Sequence, residues 1–152
     1  MIDTEPDTIH LKTAAGDTFL EAVMRPHLPY YNAIKGLFTH SGLHGMAHIT
    51  GGGIEGNLCR VMPAELSAHV DACLIKIPSV FEFIRSKGQI TDAEMLKTFN
   101  CGVGLLIVVP EKYEDKISEH ISKFHNCYPI GEITNKQIES VIYIGETKWP
   151  RN

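Results

Sequence analysis

The chain of 152 residues is predicted to form one α/β domain (α+β in the broad sense), with a single mixed β-sheet covered by helices. Three observations predict this class. Strand-like and helix-like segments alternate along the chain, the apolar runs are short, and glycine or proline stands at most of the junctions between them. The length is enough for one hydrophobic core and short for two.

In the first half of the chain, apolar spacing predicts a helix, a strand, a second helix and a second strand. These elements span, in order, residues 30–38, 43–50, 55–61 and 68–75. The first helix is indicated by Tyr30, Ile34, Leu37 and Phe38, which fall on one helical face. The strands are indicated by short apolar or alternating runs, and three glycines separate the first strand from the second helix.

In the second half, capping signals and periodic runs define the elements. They are, in order, a helix that begins at Pro78, a helix over 91–99, a buried strand over 104–109, an amphipathic helix over 113–124, and strands over 128–133 and 139–144 joined by a turn at 134–137. Pro78 suits a first helical turn, and Thr91 with Glu94 has the spacing of a capping box. The apolar side chains expected in the core from these helices are Val80, Phe81, Ile84, Tyr113, Ile117, Ile121 and Phe124.

Composition excludes several classes of protein. The formal net charge of −4, without a basic block, argues against a nucleic-acid binder that neutralises phosphates. No apolar run approaches the length that spans a bilayer, and MIDTEPDTIH (1–10) lacks the features of a secretory signal, so a cytoplasmic location is expected. The four cysteines are widely spaced and predict free thiols without a disulfide frame or a zinc site.

The most informative stretch is HGMAHITGGGIEGN (44–57). Three consecutive glycines between a strand and a helix indicate unusual backbone angles or the close approach of another group. Exposed amides at a helix start favour an anion such as phosphate, whereas the patterns of a P-loop and of a dinucleotide-binding turn are absent. The glycines alone leave two interpretations open, a ligand-binding turn and a tight turn where two backbones meet.

Two histidines and a second junction are further candidates. His44 and His48 share a face if their segment is a strand, but no third metal ligand stands at a fixed spacing, so a metal is not expected. His48 suits donation to a phosphate or proton transfer, and a histidine bonded inside the core is the other interpretation. In EMLKTFNCGVG (94–104), Gly102 is expected to be the left-handed residue that ends a helix, and Cys101 is expected to be a buried, unreactive thiol.

Several motifs occur together in a fixed order. HGMAHITGGGIEGNLCRVMP (44–63) is followed by F-E-F-I-x-x-x-G-x-I-x-x-x-E-M (81–95), by TFNCGVGLLIVVP (98–110) and by YPIGEI (128–133). In this order they resemble the C-terminal half of the phosphoribosylformylglycinamidine cyclo-ligase family, the aminoimidazole ribonucleotide synthetases. The resemblance covers residues 19–146, which are the expected domain, with 1–18 as a loose lead-in and 147–152 as a tail.

The resemblance implies the C-terminal domain of a two-domain, dimeric enzyme, with its glycine turn facing the cleft between the domains. The family's reaction phosphorylates the formyl-derived amide oxygen of formylglycinamidine ribonucleotide; the amidine nitrogen then attacks the activated carbon, phosphate leaves and the ring closes. The N-terminal half of such enzymes makes the dimer and most contacts to ATP and Mg²⁺. This chain is therefore expected to bind no cofactor tightly and to be inactive alone.

The resemblance also implies which residues serve the site. His48 is the expected catalytic residue, and no metal ligand is expected. The expected substrate- and phosphate-binding residues are Thr50, Gly51, Gly52, Gly53, Asn57, Thr98 and Asn100. Thr98 and Asn100 are candidates from the second junction itself, where their short polar groups suit either the capping of carbonyls or contact with a ligand. One segment departs from the family, because a Pro-Thr-Arg-x-Tyr-like stretch corresponds here to VMRPH (23–27), which keeps an arginine and lacks the threonine and tyrosine.

Two alternatives remain at this stage. The chain is either the C-terminal half of a related ATP-dependent enzyme, such as selenophosphate synthetase, thiamine-monophosphate kinase or formylglycinamidine synthetase, or a stand-alone domain that binds a nucleotide or a protein partner without catalysis. The related enzymes do not usually combine HITGGG with TFNCGVG. The stand-alone alternative follows from the lack of an N-terminal catalytic half in these 152 residues.

Overall fold

The helices and strands alternate as predicted in the computed structural model, which describes residues 6–151. The helices are α1 (Phe19–Val23), α2 (Tyr31–Ile34), α3 (Gly53–Leu58), α4 (Ser79–Gly88), α5 (Asp92–Thr98) and α6 (Glu111–Ser122), with short 3₁₀ turns at Pro6–His10, Lys35–Leu37 and Ala72–Leu74. The strands are β1 (Gly45–His48), β2 (Leu66–Asp71), β3 (Leu105–Val108), β4 (Gly131–Asn135) and β5 (Val141–Ile144). The α/β class is confirmed.

The strands lie in two sheets, so the prediction of a single sheet was wrong. β1 pairs antiparallel with β3, with Gly45 opposite Val108 and His48 opposite Leu105. β2 is the centre of the other sheet, antiparallel to β4 and parallel to β5. Strand-forming patterns identify strands but not their partners, so nothing in the periodicity distinguishes one sheet from two.

Both sheets contribute to one hydrophobic core. Ala47 and Ile49 from the first sheet pack in the same buried cluster as Val70 and Val141 from the second, and Met95 of α5 is fully buried among them. β5 runs parallel to β2 because β4 first returns the chain to the start of β2, where Asn135 lies opposite Leu66, and the short segment 136–140 then leads into β5 on the other side of β2. Because Ala47 and Ile49 belong to this core, the glycine-rich segment that follows β1 begins at the edge of the core.

A second, smaller cluster joins α2 to α6. It consists of Ala33, Leu37, Ile117 and Ile121. The predicted core positions Ile117 and Ile121 of α6 are confirmed by this packing, but Phe124 lies beyond the last helical residue and is 48% exposed. The apolar spacing continued past the point where the helix ends, and the prediction that Phe124 is buried was wrong.

Several other element details differ from the prediction. Val80, Phe81 and Ile84 of α4 are half-buried, whereas Phe83 is buried because it stacks on Phe19 of α1 with ring centroids 5.0 Å apart. β3, predicted as a buried strand, is half-buried along its length. The strand predicted over 68–75 ends at Asp71, where a 3₁₀ turn begins. The turn predicted at 134–137 begins later, because β4 continues to Asn135.

The expected lead-in and tail are both packed against the domain where the structure describes them. Thr8 and Thr13 are buried, and Ser79 Oγ lies 3.2 Å from Thr13 Oγ1. At the other end, Trp149 packs against the main core. Residues 1–5 and 152 of the predicted end segments lie outside the described part of the chain. No helix within residues 6–151 is long and apolar enough to cross a membrane.

Candidate functional site

The glycine turn connects β1 to α3 at the edge of the main core. Ile49 follows β1, is fully buried, and donates its N–H to the Gly104 carbonyl at 2.9 Å. Thr50 and Gly51 then leave the core and are exposed, and α3 begins at Gly53. The chain thus turns outward for three residues between two buried anchors.

The three glycines have three different environments. A Cβ atom at Gly53 would overlap the Leu96 carbonyl oxygen, and the φ of Gly53 is +60°, so close packing of α3 on α5 requires glycine there. Gly52 has a φ of +94° and donates its N–H to the Thr98 carbonyl at 3.3 Å. A Cβ atom at Gly51 would meet nothing within 4 Å, so packing inside the chain gives no reason for glycine there.

Asn57 fixes the turn from inside. Its side chain is buried, at 6% exposure, and its amide nitrogen donates to the Gly51 carbonyl at 3.1 Å and to the Gly53 carbonyl at 2.8 Å. Both amide hydrogens are therefore used to hold the turn. We conclude that the predicted binding residue Asn57 shapes the turn through its amide, and a direct contact with a ligand stays a prediction.

The second junction lies against the first. Asn100 is 3.5 Å from the Ile49 carbonyl through Nδ2, and its Oδ1 accepts the Gly102 N–H at 3.1 Å. Thr98 is exposed, and its hydroxyl donates to Glu94 at 3.0 Å. The structure thus brings together the glycine turn and the predicted residues Asn57, Thr98 and Asn100, which are up to fifty positions apart in sequence.

Residues 99–102 form a strained connection rather than a simple helix end. The last residue of α5 is Thr98, and the next residue, Phe99, is extended, so the prediction that Gly102 ends the helix was wrong. Gly102 does have the predicted left-handed angle, with a φ of +95°. A Cβ atom there would also lie 2.5 Å from Pro78, so both the backbone angle and the close packing favour glycine. Its neighbour Cys101 also has a positive φ, of +48°.

The thiol of Cys101 is buried and bonded. Its side chain is 1% exposed, and Sγ donates to the Met95 carbonyl at 3.6 Å. Burial raises the pKa of this thiol to about 11, with a further contribution from the charge of Asp92. The interpretation of Cys101 as a buried core thiol is confirmed. A thiol that stays protonated at neutral pH is a poor nucleophile, so its lack of reactivity stays a prediction.

His48 stands at the exposed end of β1 within a cluster of aromatic rings. Its ring centroid lies 5.1 Å from that of His27 and 6.1 Å from that of Tyr30, and His125 is 5.3 Å from Tyr30. The Tyr30 hydroxyl occupies the space that a side chain at Gly104 would need, and partial burial raises the pKa of that hydroxyl. Tyr30 therefore links His48 to the start of β3.

Sequence reasoning did not assign Tyr30 and His27 to the site. Tyr30 was expected only on one face of the first helix, and His27 only as part of a segment that departs from the family. The spacing of the sequence gives no signal that either ring contacts His48, because the contact depends on how the segment 25–30 crosses β1.

Within residues 6–151, this surface consists of a backbone turn and separate histidine side chains. No group of three or more His, Cys, Asp or Glu side chains in the described range 6–151 is placed to hold a metal. His44, at the other end of β1, donates its backbone N–H to Val108 and does not join His48 in a ligand set. α3 has six residues, so its dipole is short, and the local hydrogen-bonding groups of the turn matter more than the helix.

The turn is an open edge of the domain. Two shallow depressions, of about 480 Å³ and about 390 Å³, lie elsewhere: the first between the segment 73–78 and the tail, the second between the segment 11–14 and α4. Neither includes a residue of the glycine turn. A ligand held by the turn would therefore be covered from one side only by this domain.

Comparison with known proteins gives consistent matches. The family model for the C-terminal domain of AIR synthase related proteins matches residues 4–144. A curated relative from Vigna unguiculata, phosphoribosylformylglycinamidine cyclo-ligase, chloroplastic/mitochondrial, is 38% identical over 116 residues. That match covers 76% of this chain and 30% of the relative, so the matched part of the chain spans less than a third of the relative's length.

Proposed function

This chain belongs to the AIR synthase related family, whose C-terminal domain it matches, and from that premise we propose that it works as the C-terminal domain of a cyclo-ligase. The proposed reaction is the ATP-dependent closure of formylglycinamidine ribonucleotide to aminoimidazole ribonucleotide in purine biosynthesis. This domain's part is to hold the substrate through its phosphate at the domain cleft. The similarity to the Vigna unguiculata cyclo-ligase supports the choice of reaction.

Gly51 is the observation that carries the phosphate-binding part of the proposal. It is exposed, it has open space where a Cβ atom would lie, and its carbonyl is held in place by Asn57. The other two glycines have internal reasons for their lack of a side chain, namely left-handed backbone angles and, for Gly53, the approach of Leu96. Open space alone does not distinguish Gly51 from Gly56 of α3, but Gly51 lies in the exposed turn, where an external group can approach the backbone closely.

The site residues divide into those that contact the ligand and those that brace the turn. Thr50 and His48 are exposed beside Gly51, and we assign phosphate contact to these three residues. The bracing residues already use their side-chain donors or backbone internally; they are Gly52, Gly53, Asn57, Thr98 and Asn100. A phosphate group is bound by hydrogen-bond donors. Side chains whose donors already bond within the domain therefore contribute to phosphate binding by holding the turn in shape.

ATP and Mg²⁺ enter the proposal as ligands of the complete enzyme. The described residues of this chain do not fit a metal ion by themselves, since they contain no suitable group of three ligands, and no step is assigned to a metal here. An N-terminal half of the kind found in the family is the proposed partner for nucleotide and metal binding and for dimer formation, in a cytoplasmic enzyme. The two halves together would enclose the substrate, whose reacting groups must be held in one pose.

His48 has a distinct proposed role. Its imidazole is exposed at the turn, and a histidine ring can donate a hydrogen bond to a phosphate oxygen or stabilise its charge. In the proposed reaction, the amide oxygen of the substrate is phosphorylated and leaves as phosphate when the amidine nitrogen attacks the same carbon. A donor near a phosphoryl group lowers the cost of the negative charge that develops on it.

The binding experiment compares Gly51→Val with Gly56→Val. Gly56 lies one turn further along α3, and a Cβ atom there would also meet nothing within 4 Å, so it controls for the added volume and β-branching. Calorimetry with formylglycinamidine ribonucleotide should show binding by the wild type, binding at least about tenfold weaker by Gly51→Val, and little change for Gly56→Val. Equal binding by all three proteins, or none by the wild type, contradicts the proposed phosphate site.

Two other candidate functions remain. The chain is a stand-alone binding domain, or it is the C-terminal half of another member of the superfamily. A binding domain would bind ligand but release no ADP from ATP, even after the N-terminal half of a cyclo-ligase is added. A different superfamily member would turn over another substrate in the same mixture.

A further inference from the structure

The C-terminal segment 147–149 is attached to the domain by one carboxylate. Asp92, the first residue of α5, accepts the Thr147 hydroxyl at 2.6 Å and the Trp149 indole N–H at 2.8 Å, both through Oδ2. The other carboxylate oxygen accepts from Arg85 at 3.3 Å. One side chain therefore connects α5 with the end of the chain and with α4.

Arg85 closes the same network from α4. Its guanidinium lies 4.8 Å from the centre of the Trp149 ring and pairs with Glu82 through two N–H groups, at 2.8 Å and 3.2 Å. Trp149 also packs on the main core. A ring held by a cation, a hydrogen bond and apolar contact at once is ordered far better than an isolated surface ion pair.

The opposite end of α5 supports the glycine turn. The Thr98 carbonyl accepts the Gly52 N–H, and the Leu96 carbonyl lies where a Cβ atom at Gly53 would be. α5 is seven residues long, which is about two helical turns, so a displacement of its first turn is expected to move its last turn. The C-terminal segment and the glycine turn thus hold opposite ends of one short helix.

We propose that Asp92 is a positioning residue, which anchors the segment 147–149 as a strap and so keeps α5 in the place where it supports the glycine turn. The match to the family model ends at residue 144, so the strap lies outside the family domain. The effect of the strap on ligand binding rests on the proposed function, whereas its effect on the shape of the turn does not.

The surroundings of Asp92 favour its charged form. Burial alone would raise the pKa of this carboxyl, but the hydrogen bonds from Thr147 and Trp149 and the charge of Arg85 outweigh it and lower the pKa. The carboxylate is therefore available as an acceptor throughout the neutral range, and the strap stays bound there.

The test changes the strap and observes the turn. In the variant Thr147→Val/Trp149→Phe, the valine keeps the shape of threonine and the phenylalanine keeps an aromatic ring, although a smaller one. Both hydrogens donated to Asp92 are lost, while α5 itself is untouched. Amide hydrogen exchange, measured by NMR, should be about fivefold faster at Gly52 in this variant, because bonds to the carboxylate are lost. The Ile49 N–H, bonded to Gly104 on the other side of the turn, should be unchanged, and Arg151→Ala is the control for the exposed tail.

A second variant checks that the strap is released. Trp149 is the only tryptophan, so its fluorescence reports directly on the strap in Asp92→Ala, where quenching by acrylamide should increase about fivefold. Asp92→Asn keeps one acceptor oxygen and should recover part of both effects. Release of Trp149 with unchanged exchange at Gly52, or a strap that stays bound in Asp92→Ala, overturns the proposal. Neither readout requires a ligand, so a failure here is distinct from a failure of the proposed function.

Discussion

At the scale of single residues, the glycine run combines two interpretations that the sequence left open. Gly53 serves the packing of two backbones, whereas a Cβ atom at Gly51 would meet nothing within 4 Å. The sequence predicted that the run was special, but it could not assign the roles, because they depend on the Leu96 carbonyl about forty positions away. His48 was predicted as a candidate, but its contacts with Tyr30 and His27 were not.

The different roles of Gly53 and Gly51 predict different effects on stability. Gly53→Ala should lower the free energy of unfolding by about 2–4 kcal/mol, because the methyl group meets backbone and the residue keeps a positive φ. Gly51→Ala should change it by less than about 0.5 kcal/mol. Urea unfolding measures both values, and equal losses would show that the two positions are packed alike.

Cys101 provides a test of burial by pH. Its pKa is about 11 in the folded protein and near the ordinary value of 9.0 in the unfolded chain, so above that value the unfolded state ionises first. Stability should therefore be unaffected by this thiol below about pH 8 and fall as the pH rises, by about 1 kcal/mol at pH 10.

The measurement is urea unfolding at pH 8 and pH 10 for the wild type and for Cys101→Ala. The variant starts less stable, because it loses a buried side chain, but its further loss between the two pH values should be smaller by about 1 kcal/mol. Identical losses would mean that the thiol ionises as easily in the folded protein as in the unfolded chain. In the native wild type, thiol reagents should label the exposed Cys59 well before Cys101.

At the scale of elements, periodicity predicted the existence of helices and strands better than their ends. α6 contains the predicted core residues Ile117 and Ile121, but the same spacing also included the exposed Phe124. The Thr91–Glu94 capping box is only half formed, since Glu94 accepts from Thr98 in place of the cap backbone. The end of a helix depends on which other elements pack against it, and local sequence patterns do not contain that information.

Helix α6 offers a direct comparison of these two positions. Ile121→Ala should cost about 3 kcal/mol of unfolding free energy, because it opens a cavity between α2 and α6. Phe124→Ala removes a larger side chain but should cost less than about 1 kcal/mol, because that ring is 48% exposed. Denaturant unfolding of the two variants decides the point, and a larger loss for Phe124 would place the ring in the core.

At the scale of the whole molecule, the pairing of β1 with β3 assembles the candidate site. This pairing brings the segment 44–57 beside 98–104, and the Ile49 carbonyl within reach of Asn100. The order of motifs predicted this grouping through a family resemblance, whereas spacing alone could not, because strand partners are set by contacts distant in sequence. The two-sheet arrangement and the attachment of the C-terminal strap were outside what the patterns could predict.

The central claim is that this domain supplies the substrate-holding part of a cyclo-ligase site that a second domain completes. The most direct measurement is ADP release from ATP and formylglycinamidine ribonucleotide, for the chain alone, for the chain mixed with the N-terminal half of a cyclo-ligase, and for the mixture with Gly51→Val. We predict no release by the chain alone, release in the mixture, and loss of most of that release with Gly51→Val. ADP release by the chain alone, or equal ADP release by the mixture with and without Gly51→Val, would contradict the account.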